Sequence, residues 1–284
     1  MKNLRGTAFL AFLSNFLSGR TVGILAMVTM LIGAGVAQAS TLWVGHDITS
    51  PVERIDSTTG VSLGYWGATG ATGTALDGAG HVYTVVPSGL LSVITQYDDV
   101  QTPVGTINFN SGIENGNGFP SWIEDMAYDG GGRLWVSGYN GIVYNIDSFG
   151  TVLSSFDTGS TFTGVAFDGT YLYTNEGFYG GGNIYQRELD GTIVSTITTG
   201  FAGGAGLGYD ATDNTLWVGY LAGTNDIRQF DISGNLLSSL SIGGGAHDGL
   251  EVGELYATVP EASTLLLLGS GLAGLIGLRK KLKA

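Results

Sequence analysis

The sequence predicts an all-β fold, a small β-propeller built from four-stranded blades. Three observations predict it: a strand with an aromatic centre recurs six times, an aspartate-led turn precedes four of the copies, and glycine and aromatic residues are abundant. The 284 residues include 49 glycines, 13 tyrosines and 12 phenylalanines, and only 12% are charged. Short strands joined by tight turns need this composition.

The recurring strand sets the period. Its aromatic residues are separated by 40, 52, 38, 44 and 39 positions, which is the spacing of propeller blades with one insertion. These residues are Trp43, Tyr83, Trp135, Tyr173, Trp217 and Tyr256. Two further strands follow in each unit, so each blade is expected to contain four antiparallel strands.

Aspartates recur at the turns of each unit. Because Asp tolerates turn geometry and bonds to nearby backbone, we interpret them as hairpin formers rather than as a shared site. The first set is Asp77, Asp129, Asp168 and Asp210, and the second is Asp56, Asp98, Asp147, Asp190 and Asp231.

The ends of the repeat are offset in a way that predicts ring closure. The first unit, from Thr41, lacks its opening strand, and residues 249–259 supply only opening strands. Together they would complete one blade and give five in all. Residues 254–258 are a surplus strand that leaves six blades as an alternative, and a parallel β-helix is the rival fold.

The N-terminus has the pattern of a signal peptide, here assigned to residues 1–39. A basic leader precedes an apolar run over residues 22–36, and Ala37-Gln38-Ala39 matches the small-residue pattern that signal peptidase cleaves. We predict cleavage between Ala39 and Ser40. An uncleaved N-terminal anchor is the alternative.

The C-terminus, residues 260–284, predicts a short transmembrane helix with a basic end. A helix over residues 263–278 would span about 24 Å, and the flanking Lys and Arg side chains can cover the mismatch with the bilayer. The basic cluster is expected to stay cytoplasmic, which places the body, residues 40–259, outside the cytoplasm.

The residues before that helix are Pro260, Glu261, Ala262, Ser263 and Thr264. With the Leu/Gly-rich run and the Arg/Lys end, they resemble the PEP-CTERM sorting signal, although Ala262 replaces the second proline of Pro-Glu-Pro. The resemblance implies recognition and cleavage by an exosortase and delivery to the cell surface or extracellular polymer matrix. A plain C-terminal anchor is the alternative. Most of the body also resembles NHL-type and related bacterial surface propellers.

Charge and cysteine content exclude several functions. The body keeps four arginines, no lysine and 23 of the 24 acids, so it should repel nucleic acid. No cysteine is present, which excludes disulfides, thiolate metal sites and cysteine nucleophiles.

Four residues break the repeat where the loops lead into the first strands. Glu124, Asp125 and Asp248 stand where sister units carry Gly, Ala or Thr, and His247 is adjacent. In a closed ring they would face one mouth of the channel. Carboxylates suit Ca²⁺, and a histidine among acids suits a transition metal, so this is the candidate metal or ligand site. Solvated loop acids are the alternative.

The insertion also breaks the repeat. It carries Phe119 and Trp122 among Asn and Gly residues, a combination that suits stacking on carbohydrate. Ordinary loop packing is the alternative.

The function favoured by these patterns is a non-catalytic interaction scaffold, exported and sorted to the envelope. No histidine pair at metal-ligand spacing occurs in the sequence. The alternatives are a glycan- or metal-ligand-binding propeller and a metal-dependent hydrolase such as the lactonases among related propellers. Extracellular polysaccharide or another surface protein is the expected partner.

Overall fold

The computed structural model describes residues 40–46, 49–88, 91–110, 122–161, 163–177, 179–220, 226–243, 245 and 247–256. The predicted signal peptide, residues 1–39, lies outside the described residues. So do Phe119 and the sorting residues Pro260, Glu261, Ala262, Ser263 and Thr264. Within the described ranges, no helix is long and apolar enough to cross a bilayer.

The described residues form five antiparallel sheets of four strands each, which confirms the five-bladed prediction. Blade 2 consists of β4 (Thr74–Leu76), β5 (Val82–Ser88), β6 (Leu91–Tyr97) and β7 (Pro103–Phe109). Blade 3 consists of β8 (Ile123–Tyr128), β9 (Leu134–Gly138), β10 (Ile142–Ile146) and β11 (Val152–Asp157). Blade 4 consists of β12 (Val165–Phe167), β13 (Leu172–Asn175), β14 (Asn183–Arg187) and β15 (Ile193–Thr198). Blade 5 consists of β16 (Gly204–Asp210), β17 (Thr215–Tyr220), β18 (Asp226–Asp231) and β19 (Leu236–Ser241).

Blade 1 joins the two ends of the body. Its strands are β20 (Gly249–Val252), β1 (Thr41–Gly45), β2 (Val52–Asp56) and β3 (Ser62–Trp66). The C-terminal strand β20 is therefore the innermost strand of a blade that otherwise comes from the N-terminal end of the body. The predicted closure is confirmed. The surplus segment makes only an isolated bridge, between Ala79 and Tyr256, and adds no sixth blade among the described residues.

The core lies between neighbouring blades. Five apolar clusters each combine residues of two adjacent blades, so every blade–blade interface has its own packed layer. Between blades 1 and 2, for example, Trp43 meets Trp66 edge to face, and the Arg54 guanidinium lies over both rings. The recurring aromatic strand thus supplies large side chains to these layers.

The outer strands are irregular in the same way in all five blades. Each pairing of a third strand with a fourth contains a register shift, which leaves one extra residue on the outer strand. The extra residue is aliphatic and about half exposed in every blade: Leu63, Val104, Leu153, Val194 and Leu237.

The turn aspartates act as the sequence indicates. The carboxylate of Asp77 accepts a hydrogen bond from the amide of Ala79 at 2.8 Å, and Asp129, Asp168 and Asp210 make the equivalent bond two residues on. Asp147 does the same for Phe149 at 2.9 Å in a third–fourth hairpin. These bonds are the Asx-turn geometry expected of hairpin formers.

The ring has two different faces. One face carries the loops that lead into each first strand and the loops between the second and third strands. We call it the mouth face. The opposite face carries the first–second and third–fourth hairpins, and we call it the hairpin face. Each innermost strand runs from the mouth face to the hairpin face.

Candidate functional site on the propeller axis

The innermost strands approach one another so closely at one level that a Cβ has no room in four of the five blades. Four of them carry glycine there: Gly73, Gly164, Gly206 and Gly249. A Cβ on Gly249 would lie 2.5 Å from the Cα of Gly73, and one on Gly164 would lie 2.1 Å from the carbonyl oxygen of Ala205. The sequence therefore packs the blades tightly around the axis.

Asp125 occupies the equivalent position in blade 3, and its carboxylate binds four blades. Oδ1 accepts hydrogen bonds from the amides of Met126 at 2.9 Å and Leu250 at 3.1 Å. Oδ2 accepts them from Val165 at 3.2 Å and Leu207 at 2.9 Å. Three of the donor amides belong to the residue directly after the glycine of an innermost strand. The fourth belongs to the residue directly after Asp125.

This arrangement solves a problem inherent in the fold. An innermost strand is the edge of its sheet, and its buried amides would otherwise lack acceptors. A carboxylate has about four lone-pair positions, and the four amides fill those of Asp125. Asp125 is fully buried, so it acts as the common acceptor at the axis rather than as a solvent-facing mouth residue.

Two influences on the Asp125 carboxyl oppose each other. Burial raises its pKa well above the ordinary value, and the four amide donors act in the opposite direction because they favour the carboxylate. The geometry favours the charged form, since a protonated oxygen would turn its own hydrogen toward an amide N–H.

The other three predicted metal-site residues are also buried near this level. Glu124 is the extra residue at the register shift between β8 and β9. The amide of Asp248 donates to the carbonyl oxygen of Gly45 at 3.1 Å, and the carbonyl of His247 accepts from Gly206 at 3.1 Å. His247 and Asp248 thus line the seam between the two ends of the body.

A pair of histidines lies at that seam. Nδ1 of His247 is 3.2 Å from Nδ1 of His46, and Nε2 of His46 is 3.0 Å from Oε2 of Glu53. Burial is the main influence on His46 and lowers its pKa. Among the described residues, no group of three or more His, Asp or Glu side chains is arranged to hold a metal. A metal role for Glu124, His247 and Asp248 stays a prediction.

Glu251 is a second acid on an innermost strand, and the sequence analysis missed it. It stands two residues beyond Gly249, where the sister strands carry Ala75, Ala127, Ala166 and Gly208. Its Oε1 accepts from the amide of Val252 at 2.9 Å, and burial raises its pKa to about 8. The break in the Ala/Gly pattern was the available signal.

A polar cleft of about 500 Å³ opens on the mouth face between blades 3 and 4. Its lining includes Asn140, Asp157, Thr161 and Tyr179, and Tyr179 is 78% exposed. Glu176 also lines it, but its two oxygens accept four hydrogen bonds from Gly181, Asn183 and Tyr185. Asn140 and Asp157 also bind within their own loops, where their side-chain oxygens accept hydrogen bonds from the amides of Ile142 at 3.1 Å and Gly159 at 2.8 Å.

Trp122 lies near this region, after the insertion. Its carbonyl oxygen accepts a hydrogen bond from the amide of Tyr139 at 2.8 Å, beside the loop that contributes Asn140. Phe119, its predicted companion, lies outside the described residues. The stacking role of both stays a prediction.

The fold and its tail define a class: a closed five-bladed propeller followed by a C-terminal sorting segment. Residues 258–281 match the family described as the PEP-CTERM protein-sorting motif, so the resemblance seen in the sequence is confirmed. The motif implies export, membrane-anchored sorting and processing by an exosortase.

The body itself has structural relatives. No curated protein matches the chain. A protein of unknown function from Bacteroides caccae has a similar crystal structure, with a TM-score of 0.54 and 15% sequence identity over 75% of this chain and 98% of that chain. This likeness concerns the fold alone.

Proposed function

We propose that the chain is a non-catalytic interaction scaffold that an exosortase delivers to the cell surface or the extracellular polymer matrix. The sorting motif at residues 258–281, directly after a closed ring, is the observation that carries this proposal. The axis supports the non-catalytic part, because the four amides already occupy the acceptor positions of Asp125.

Localisation of the full chain in an exosortase-containing host tests the sorting part. We expect Glu261→Gln to remain in the membrane fraction, whereas the wild type reaches the surface or matrix. Glu254→Gln is the matched control, since it makes the same change seven positions before the motif residue. Equal surface delivery of all three proteins would contradict the proposal.

A second candidate function is glycan binding at the mouth-face cleft. The exposed ring of Tyr179 beside the polar groups of Asn140, Asp157 and Thr161 favours it. Aromatic faces and hydrogen-bonding side chains together suit a sugar ring, which has an apolar face and polar edges. A metal-dependent hydrolase has no comparable observation in its favour among the described residues.

Titration with the matrix polysaccharide of the host tests this second function. We expect Tyr179→Ala and Trp122→Ala each to weaken binding about tenfold, which corresponds to about 1.4 kcal/mol. Phe149→Ala removes a comparably exposed ring from the hairpin face and should leave the affinity unchanged. Binding that is equally affected by all three variants, or absent in the wild type, would contradict this function.

A further inference from the structure

We infer that, while the sorting tail anchors the chain, the hairpin face lies against the lipid bilayer and the mouth face points away from it. The inference rests on the sorting part of the proposed function and is independent of the scaffold and glycan roles. Its basis is the point where the chain leaves the ring, the length of the tether and the side chains around that point.

The chain leaves the described body on the hairpin face. Strand β20 starts beside Gly45 on the mouth face and ends where the amide of Gly253 donates to the carbonyl of Thr41 at 3.0 Å. Ser40 lies at the same end, because its carbonyl accepts from Ser57 in the third–fourth hairpin of blade 1 at 3.1 Å. Both ends of the described body are thus on one face.

Contacts with blade 2 hold the last described residues to that face. The carbonyl of Leu255 accepts a hydrogen bond from Gly80 at 2.8 Å, and the hydroxyl of Tyr256 donates to Oδ2 of Asp99 at 2.5 Å. The Tyr256 ring also covers Gly80, where a Cβ would approach it to 2.7 Å. Position 80 is therefore restricted to glycine by the tail, and Gly80 also has a φ of +100°.

The tether between this attachment and the membrane is short. Only Ala257 separates Tyr256 from the matched motif, and seven residue steps lead to Ser263, where the predicted transmembrane helix begins. Fully extended, seven steps cover at most about 25 Å. Strand β7 on the rim has seven residues, whose six steps span about 20 Å. Passing along the rim would use most of the tether, so the tether favours the hairpin face over the mouth face as the side turned toward the bilayer.

The tips of the hairpins on this face are apolar and exposed. Four third–fourth hairpins carry one such residue: Val100, Phe149, Leu189 and Ile232. Phe149 is 86% exposed and Val100 is 73% exposed. The neighbouring acids Asp98, Asp147 and Asp231 bend back and accept amide hydrogen bonds within their own turns. The four apolar side chains are groups that the interfacial region of a bilayer accepts.

Because the chain contains no cysteine, single introduced cysteines can carry a fluorophore at a chosen position. We would label Phe149→Cys and Ile232→Cys on the hairpin face and Tyr179→Cys on the mouth face. The full chain, with its tail, is reconstituted without exosortase into phosphatidylcholine vesicles that contain headgroup-nitroxide lipid. We expect quenching at positions 149 and 232 to exceed that at position 179 at least threefold. Equal quenching, or stronger quenching at position 179, would overturn the inference.

A variant with a longer tether tests whether the short tether causes this orientation. Insertion of twenty Gly/Ser residues after Ala257 should remove the difference between the faces while the thermal unfolding of the body stays unchanged. A difference that survives the insertion would overturn the role given to the tether. Neither exosortase nor a glycan is present in these samples, so failure here is distinguishable from failure of sorting or of ligand binding.

Discussion

Asp125 and Glu251 are both acids on innermost strands, yet the ring uses them differently. They lie at levels two residues apart along the repeat, or about 7 Å along a strand. Asp125 accepts amides from four blades, whereas Glu251 accepts the amide of its own neighbour Val252 and one from Leu76. A buried acid is therefore stabilising at the axis only to the extent that edge amides converge on it.

The glycines explain why the convergence occurs at one level. Four glycines beside Asp125 let the strands approach until their next amides point at a single carboxylate. At the level of Glu251 the sister residues are alanine or glycine, and the carboxyl receives fewer donors. Burial raises the pKa of Glu251 to about 8, and only two amides oppose it there, against four at Asp125.

The largest effect should follow from Asp125→Asn. The new amide group would face two backbone donors, so two buried N–H groups would lose their acceptor and the blades would lose a shared contact. We expect the free energy of unfolding to fall by on the order of 4 kcal/mol, measured by urea denaturation. Asp147→Asn is the control, because Asn also supports the exposed turn. A loss for Asp125→Asn no larger than that of the control would break the comparison.

Glu251→Gln should raise the free energy of unfolding rather than lower it, and the size of this effect should depend on pH. The folded pKa of about 8 lies above the ordinary 4.5, so the wild type loses stability as the pH rises from 4.5 through 8. The variant lacks this loss. We expect it to be more stable than the wild type by about 2 kcal/mol at pH 9, a figure reduced for the partial exposure of the side chain.

Urea denaturation at pH 4, 6, 8 and 9 measures this difference. The two proteins should coincide at pH 4, where Glu251 is protonated in both the folded and unfolded chains. A constant difference at every pH would show that the substitution acts through packing instead of ionisation.

The smallest of the three effects concerns His46 at the closing seam, near the level of Asp125. Because burial lowers its pKa below 6.5, the unfolded chain binds a proton more readily, and stability falls as the pH drops below 6.5. We expect the wild type to lose about 1 kcal/mol between pH 7.5 and pH 5 through this group. In His46→Gln this acid-induced loss of stability should be absent. The difference in urea midpoint between the two pH values measures the loss in each protein. An identical acid loss in both proteins would exclude His46 as its source.

Much of the fold was predictable because its determinants repeat along the chain. The aromatic strands fill the layers between blades, and the turn aspartates cap their own hairpins, so both are visible as local patterns. The offset ends predicted closure because β20 lacks partners of its own within the last unit. The role of Asp125 was not predictable, since four amides from different blades converge only after the ring closes.

The candidate site was predictable in position more than in chemistry. Glu124, Asp125, His247 and Asp248 were singled out as breaks in the repeat, and all four are buried, with Asp125 on the axis and His247 and Asp248 at the seam. That they are buried rather than solvent-facing depends on the close approach of the strands. Glu251 escaped notice because it sits inside a strand, where the sequence pattern predicted only a small core residue.

The aliphatic bulges on the five outer strands have a consequence for crowding. These rim strands carry a single charged residue, Asp157, and no lysine, so like charges cannot keep neighbouring rims apart in the usual way. The extra residue in each strand bends the outer backbone and interrupts the flat ladder that a second rim would need for pairing. At high local concentration, the kinks therefore favour separate rings over the continuous ribbons of an amyloid.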